Sequence, residues 1–112
     1  MEELNKSVDL LIKTLMETEI YRQYTEQEQK LMENTELKER VDQFRKNNYR
    51  LQQQAEKEDL PMILEQLYAE SRELRKDPQV NAYLDAELAL CKLMQKIFLR
   101  VTDEMRMHIP EL

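Results

Sequence analysis

The longest helical pattern in the chain extends from Asp77 to about Met107. Asp77 is a favourable N-cap residue, and Pro78 follows at the first helical position, where proline is best tolerated. One apolar stripe repeats at helical spacing through Val80, Leu84, Cys91, Met94, Phe98, Val101 and Met105. A second stripe lies beside it at Tyr83, Ala86, Leu90, Leu93 and Ile97. Because two stripes are wider than a surface helix needs, we expect this helix to be covered on more than one side.

Four shorter stretches before this helix also carry helical periodicity. We predict helices over about residues 3–17, 19–33, 36–55 and 61–76, followed by the long helix over 78–106. The first has a clear apolar stripe, whereas the second is much more polar and is expected to lie partly in solvent. The sequence therefore predicts a single all-α domain, a helical bundle of about four to five helices with a long C-terminal helix.

Several residues mark where these helices begin and end. Thr18 is expected to cap the second helix, although it lacks the Glu or Gln three residues later that completes a capping box. Thr35 is expected to cap the third helix, and Pro61 is expected in the first turn of the fourth. Residues 56–59 are charged and unpatterned, which indicates a short linker, and the tail over 106–112 is expected to fray.

Composition and charge narrow the classes of function. Gly is absent, so the chain contains no Gly-rich phosphate loop, dinucleotide-binding fingerprint or nucleophile elbow. The net charge is −6, which argues against direct nucleic-acid binding through phosphate contacts. Arg45, Lys46 and Arg50 form a local basic cluster among acidic residues, which we interpret as a solvated helix face. Direct RNA binding through these three residues is the less favoured hypothesis.

The residue types needed for catalysis or metal binding are scarce. Cys91 is the only cysteine and lies on an apolar stripe, so we expect a small buried hydrophobic side chain and not a reactive thiol. The only histidine, His108, lies in the tail, with Met105 and not Glu three residues before it. This excludes the Glu-x-x-His pattern of a di-metal helical bundle. We predict no catalytic, metal-binding or cofactor-binding residues, and therefore no enzyme.

Neither targeting nor membrane signals are apparent in the sequence. The amino terminus is acidic and has no apolar run of the kind found in signal peptides. No segment approaches the roughly 18 consecutive apolar residues of a transmembrane helix. We therefore expect a cytoplasmic protein that does not associate with a membrane.

Methionines and the wide apolar face of the last helix point to protein contacts. Seven methionines are many for a chain of 112 residues, and their flexible thioether side chains suit adaptable apolar contacts. We expect Met16 and Met94 to fill the core, whereas Met32, Met62 and Met105 are better candidates for a partner surface. A long helix with few elements to cover its apolar face predicts self-association, as a homodimer or a larger oligomer.

Two segments, taken in order, resemble one known family. The first is Phe44-Arg45-Lys46-Asn47-Asn48, within Leu37–Leu51, and the second is Asp77-Pro78-x-Val80-x-x-Tyr83-Leu84-x-Ala86-Glu87-x-x-Leu90. Together with the order of the helices, they are similar to the YlbF/YmcA family of small helical bacterial regulators. The resemblance covers nearly the whole chain, from about Leu4 to Thr102.

This resemblance implies a function that composition and periodicity do not. Members are cytosolic, non-catalytic regulators of competence, sporulation and biofilm formation in Gram-positive-type bacteria. They form complexes with one another and with a further protein, and they influence RNA processing by ribonuclease Y. Some of these complexes carry iron–sulfur clusters. The present chain departs from that feature because Cys91 is its only possible thiolate, so we expect no cofactor and no cluster held by this chain alone. A cluster shared with a partner through Cys91 is the less favoured alternative.

The sequence thus favours a non-enzymatic regulatory adaptor that acts through protein–protein contacts. Its expected partners are itself, and by resemblance related family proteins and ribonuclease Y. A self-associating structural or chaperone-like helical bundle with no specific client is the alternative. The residues assigned to packing or to an interface are Phe44, Asn47, Tyr83, Leu84, Met94 and Phe98.

Overall fold

The computed structural model describes residues 1–54 and 60–106, with the side chain of residue 54 excepted. These residues form five α-helices and no β-strand: α1 (Glu2–Met16), α2 (Glu19–Glu33), α3 (Thr35–Gln54), α4 (Leu60–Arg75) and α5 (Pro78–Glu104). The predicted all-α fold with a long C-terminal helix is confirmed. Each predicted helix boundary lies within two residues of the observed one.

Side-chain caps explain where α2 and α5 begin. The backbone N–H of Tyr21 donates to Oγ1 of Thr18 over 3.2 Å, as the sequence predicted for this cap. At the start of α5, Oδ1 of Asp77 accepts hydrogen bonds from the backbone N–H of Gln79 at 2.9 Å and of Val80 at 3.4 Å. These bonds satisfy donors that a helix amino terminus otherwise leaves unpaired.

The predicted cap of α3 is wrong by one residue. Asn34, not Thr35, precedes the helix, and its Oδ1 accepts a hydrogen bond of 3.2 Å from the backbone N–H of Leu37. Asn and Thr are both good N-cap residues, so the sequence Asn34-Thr35 offers two adjacent candidates. In the structure Asn34 is the N-cap, and Thr35 is the first residue of the helix.

The other helix ends differ in how they are defined. α1 begins after Met1 without a side-chain cap. Pro61 lies in the first turn of α4, as predicted. α5 is followed by a turn in which Arg106 has a left-handed backbone, with φ 57°. The predicted linker over 56–59 and the tail residues from 107 onward, including His108, lie outside the described residues.

The chain divides into two compact units. Unit 2 is continuous and covers Glu26–Leu84, whereas unit 1 combines Met1–Thr25 with the described residues from Asp85 onward. α2 and α5 each contribute residues to both units.

Unit 2 holds the apolar core. Within it, α3 packs against α4. The buried apolar side chains found among the described residues all belong to this unit: Leu31, Leu37, Val41, Leu67, Leu74, Val80 and Tyr83. Val80 is fully buried one turn after the Asp77 cap, so the cap and the core fix the start of α5 together.

Unit 1 has no comparable core. α1 contains no buried residue. Thr102 of α5 is the buried residue of this unit among those described, and its hydroxyl donates to the carbonyl oxygens of Phe98 and Leu99 within its own helix. The amphipathic pattern of α1 and of the part of α5 in unit 1 is therefore present, but none of its apolar side chains is buried among the described residues of this unit.

Candidate interaction surfaces

The two apolar stripes of α5 have different environments within unit 1. Leu90, Leu93 and Ile97 of the second stripe are half-buried. The first stripe is exposed from Cys91 to Met105, the residue that follows α5, and we call this part the open seam: Cys91, Met94, Phe98, Val101 and Met105. Phe98 is 57% exposed and Met105 is 67% exposed. The expectation that α5 is covered on more than one side is therefore not met within unit 1.

α1 presents a second exposed apolar face, which we call the α1 face: Leu4, Val8, Leu11 and Ile12. Its members lie at helical spacing and are 40–56% exposed. A groove of about 460 Å³ lies between the α1 face and the open seam, lined by Leu11, Ile97, Arg100, Val101, Glu104 and Met105. Leu11 thus lies beside the carboxyl-terminal end of the open seam, so the two apolar surfaces are neighbours.

Three sequence-based expectations about buried residues in unit 1 are wrong. Cys91 is exposed and not a buried hydrophobic side chain. Met16 and Met94 were expected to fill the core but are 53% and 47% exposed. The common cause is that periodicity identifies the apolar face of a helix without showing whether another element of the same chain covers it.

In unit 2, Tyr83 is held by a basic residue from a distant part of the chain. Tyr83 is only 4% exposed. Nη2 of Arg45 donates to its hydroxyl oxygen over 3.2 Å, and the Arg45 guanidinium carbon lies 5.4 Å from the ring centroid. By sequence Arg45 belongs to a basic cluster, and this contact could not be predicted because no local pattern links residues 38 positions apart.

Two other candidates of unit 2 line a groove. Phe44 and Asn47 are half-buried, and they border a groove of about 270 Å³ lined also by Arg40, Gln43, Glu70, Glu73 and Leu74. Oδ1 of Asn47 accepts hydrogen bonds from Gln43 at 3.1 Å and from Arg50 at 3.5 Å. Leu84 is half-buried at the last position of the unit. Tyr83, Phe44 and Asn47 thus belong to unit 2, whereas Met94 and Phe98 belong to unit 1.

Two exposed carboxylates have lowered pKa values. Hydrogen bonds from Arg22 and then Gln23, together with the Arg22 charge, lower the pKa of Glu19 to about 2. A hydrogen bond from Lys76 at 2.9 Å lowers the pKa of Glu73. Both are pairs within one turn of a helix and fully exposed, so they describe local helix-surface contacts and not a catalytic site.

The described residues hold neither a metal-binding cluster nor a membrane-spanning helix. Across residues 1–54 and 60–106, no three His, Cys, Asp or Glu side chains are grouped so as to hold a metal ion. None of the helices in that part of the chain has the length and hydropathy to cross a membrane.

Comparison with known proteins adds one match. No curated protein and no solved structure matches the chain. The family model described as control of the competence regulator ComK, YlbF/YmcA, matches residues 4–106. This match includes residues of all five helices, the open seam and the Arg45–Tyr83 contact. The chain therefore belongs to the YlbF/YmcA family of regulators.

Proposed function

We propose that this protein is a non-enzymatic cytoplasmic adaptor that regulates by contacting other proteins through the apolar surface of unit 1. The pathway that we propose, by resemblance to the family, is that of a complex that affects RNA processing and the development of competence, sporulation and biofilms. The observation that carries the proposal is the exposure of the open seam and the α1 face, with no apolar side chain buried in the described part of unit 1.

The physical basis is that the described part of unit 1 offers its helices no buried apolar core. An isolated helix of 15 residues, the length of α1, is marginal in water, and helices in proteins are stabilised mostly by packing an apolar face. Contiguous exposed apolar patches larger than a few hundred Å² are rare on monomers and mark interaction sites. A partner that covers the open seam and the α1 face supplies the missing packing.

Support for a regulatory and not a catalytic role comes from the family and the all-helical fold. Related family proteins and ribonuclease Y are the partners that the family resemblance suggests. We assign no cofactor to the chain: a lone thiol at Cys91 does not form a cluster site by itself.

The experiment is an affinity pull-down of the tagged protein from its native host, with quantitative mass spectrometry of the co-eluting proteins. The test variant is Phe98→Asp, which places a charge on the open seam. The control is Leu99→Asp, because Leu99 is the next residue of α5, is equally exposed at 57%, and lies off the seam. We expect Phe98→Asp to reduce partner recovery at least tenfold and to lower transformation frequency, whereas Leu99→Asp retains both.

Retention of all partners by Phe98→Asp, with helicity unchanged by circular dichroism, would contradict the proposal. Recovery of the protein alone in every sample would favour the alternative, a self-associating structural or chaperone-like bundle with no specific client.

A further inference from the structure

We infer that a groove between α3 and α4 is a second docking site, which takes a helix of another protein carrying a large apolar side chain and, one turn away, a Lys or Arg. We call it the α3–α4 groove, and it is lined by Arg40, Gln43, Phe44, Asn47, Glu70, Glu73 and Leu74. All seven residues belong to unit 2. The proposed function uses unit 1 alone, so this site adds a separate partner surface that shares no residue with the open seam or the α1 face.

The course of the groove along α3 fits a helix. Its α3 residues, Arg40, Gln43, Phe44 and Asn47, lie at spacings of three and four on one face. They span seven residues, which is roughly 10 Å or two helical turns at 1.5 Å per residue. Because α3 packs against α4, the groove lies along a helix pair, and such grooves receive the apolar face of a third helix.

The apolar part of the groove suits a single side chain of the partner. Leu74 is only 6% exposed, and Phe44 is half-buried beside it. The groove has a volume of about 270 Å³, just below the range of roughly 300–1,000 Å³ that is typical of small-molecule sites. We therefore assign it to one large apolar side chain, of the kind that anchors a protein interface.

Glu70 explains why the partner carries a cation. It is half-buried, and no hydrogen bond or ion pair to it is found among the described residues. Its neighbours three and four positions away on α4 are Gln66, Leu67, Glu73 and Leu74, so this helix offers it no cation. A Lys or Arg of the partner would form a charge-assisted hydrogen bond with Glu70. Because Glu70 and Leu74 are four residues apart, the cation and the apolar anchor are also one helical turn apart.

Glu73, on the same side of the groove, already has its cations. Nζ of Lys76 lies 2.9 Å from its carboxylate. The hydrogen bond from Lys76 lowers the pKa of Glu73, and the charge of Arg40 acts in the same direction. Glu70 is therefore the carboxylate that a partner's cation completes, whereas an acidic segment would face two carboxylates and be repelled.

Two synthetic peptides test the groove by NMR titration of the isotope-labelled full chain. Both are alanine-based helices of about 20 residues, since shorter isolated helices are marginal in water. One carries a Leu with an Arg four residues before and four residues after it, and the other carries Glu at both flanking positions. We expect the Arg peptide to shift the amide signals of the groove residues and the Glu peptide to bind roughly tenfold more weakly or less. Equal binding of the two peptides, or shifts confined to the open seam, would overturn the inference.

A pair of matched variants assigns the charge preference to Glu70. Glu70→Gln should bind the two peptides with equal affinity. Glu65→Gln makes the same change at an exposed position of α4 outside the groove and should keep the preference for the Arg peptide. A preference that survives in Glu70→Gln, with helicity unchanged by circular dichroism, contradicts the assignment.

Two further measurements separate this site from other occupants and from the surface of unit 1. Light scattering should give the same mass for Glu70→Gln and the wild-type protein, whereas a lower mass for the variant would show that a second copy occupies the groove. Phe98→Asp should bind the Arg peptide as the wild-type protein does. Failure of the peptide to bind would leave the role of the open seam intact, so the two proposals fail separately.

Discussion

Unit 2 and unit 1 are both helical and both amphipathic, yet they use their apolar residues in opposite ways. All the buried apolar side chains of the described chain lie in unit 2. The described residues include 19 exposed large apolar side chains. Of these, 13 lie in unit 1, from Met1 to Met16 and from Leu88 to Met105. The same periodic pattern therefore serves as a core in one unit and as an exposed surface in the other.

The difference shows that an amphipathic helix is not by itself a core helix. In unit 2, the faces of α3 and α4 meet each other, and the Arg45 contact fixes Tyr83 among them. In unit 1, α1 and α5 are neighbours at a groove but leave the open seam in solvent. We therefore expect unit 2 to owe its stability to the chain itself and unit 1 to depend on a partner.

The largest expected effect is the difference between two Leu→Ala substitutions. Leu74 is 6% exposed in unit 2, whereas Leu10 is 64% exposed in unit 1 and lies off the α1 face. Leu74→Ala should lower the free energy of unfolding by about 2–5 kcal/mol because it leaves a cavity, and Leu10→Ala by less than about 0.5 kcal/mol. Urea denaturation at one fixed protein concentration measures both. Equal losses would show that the two units do not differ in this way.

A smaller effect is expected at the start of α3. Asn34→Ala removes the side chain that accepts from the N–H of Leu37 and should cost about 1 kcal/mol of unfolding free energy. The adjacent Thr35→Ala is the control and should change stability by less than about 0.5 kcal/mol. Chemical denaturation followed by circular dichroism measures the difference. A larger loss of unfolding free energy in Thr35→Ala than in Asn34→Ala would show that Thr35 is the cap.

The smallest effect concerns an exposed ion pair of unit 1. The pKa of Glu19 is about 2 in the folded chain against an ordinary value of 4.5, so its charged form is favoured by folding. The stabilisation that charged Glu19 gives to the folded state is fully present above about pH 4.5 and is lost as the pH falls towards 2. Glu19→Gln should therefore be slightly less stable than the wild-type protein at pH 7 and as stable as the wild-type protein near pH 2. Thermal melts of both proteins at the two pH values measure this difference. The same difference in stability at both pH values would exclude the titration of Glu19 as the cause.

Local sequence signals were sufficient to place the helices. Asp77 and Thr18 cap helices where predicted because capping depends on a side chain and the backbone two or three residues later. The Asn34-Thr35 pair shows the limit of such signals, since two good caps in a row leave the choice to the surrounding backbone. The apolar stripes of α5 were also located correctly, whereas the burial of Cys91 and Met94 on the first stripe was predicted wrongly.

Burial required the tertiary structure because it depends on which elements meet. Cys91 and Met94 lie on the same kind of stripe as Val80, yet Val80 is fully buried and they are exposed. Arg45 belonged by sequence to a basic cluster, but its guanidinium group packs on Tyr83, 38 residues away. By itself, the sequence determined the helices, their apolar faces and the family. The tertiary structure alone decided which faces are covered, because packing joins residues that no local spacing connects.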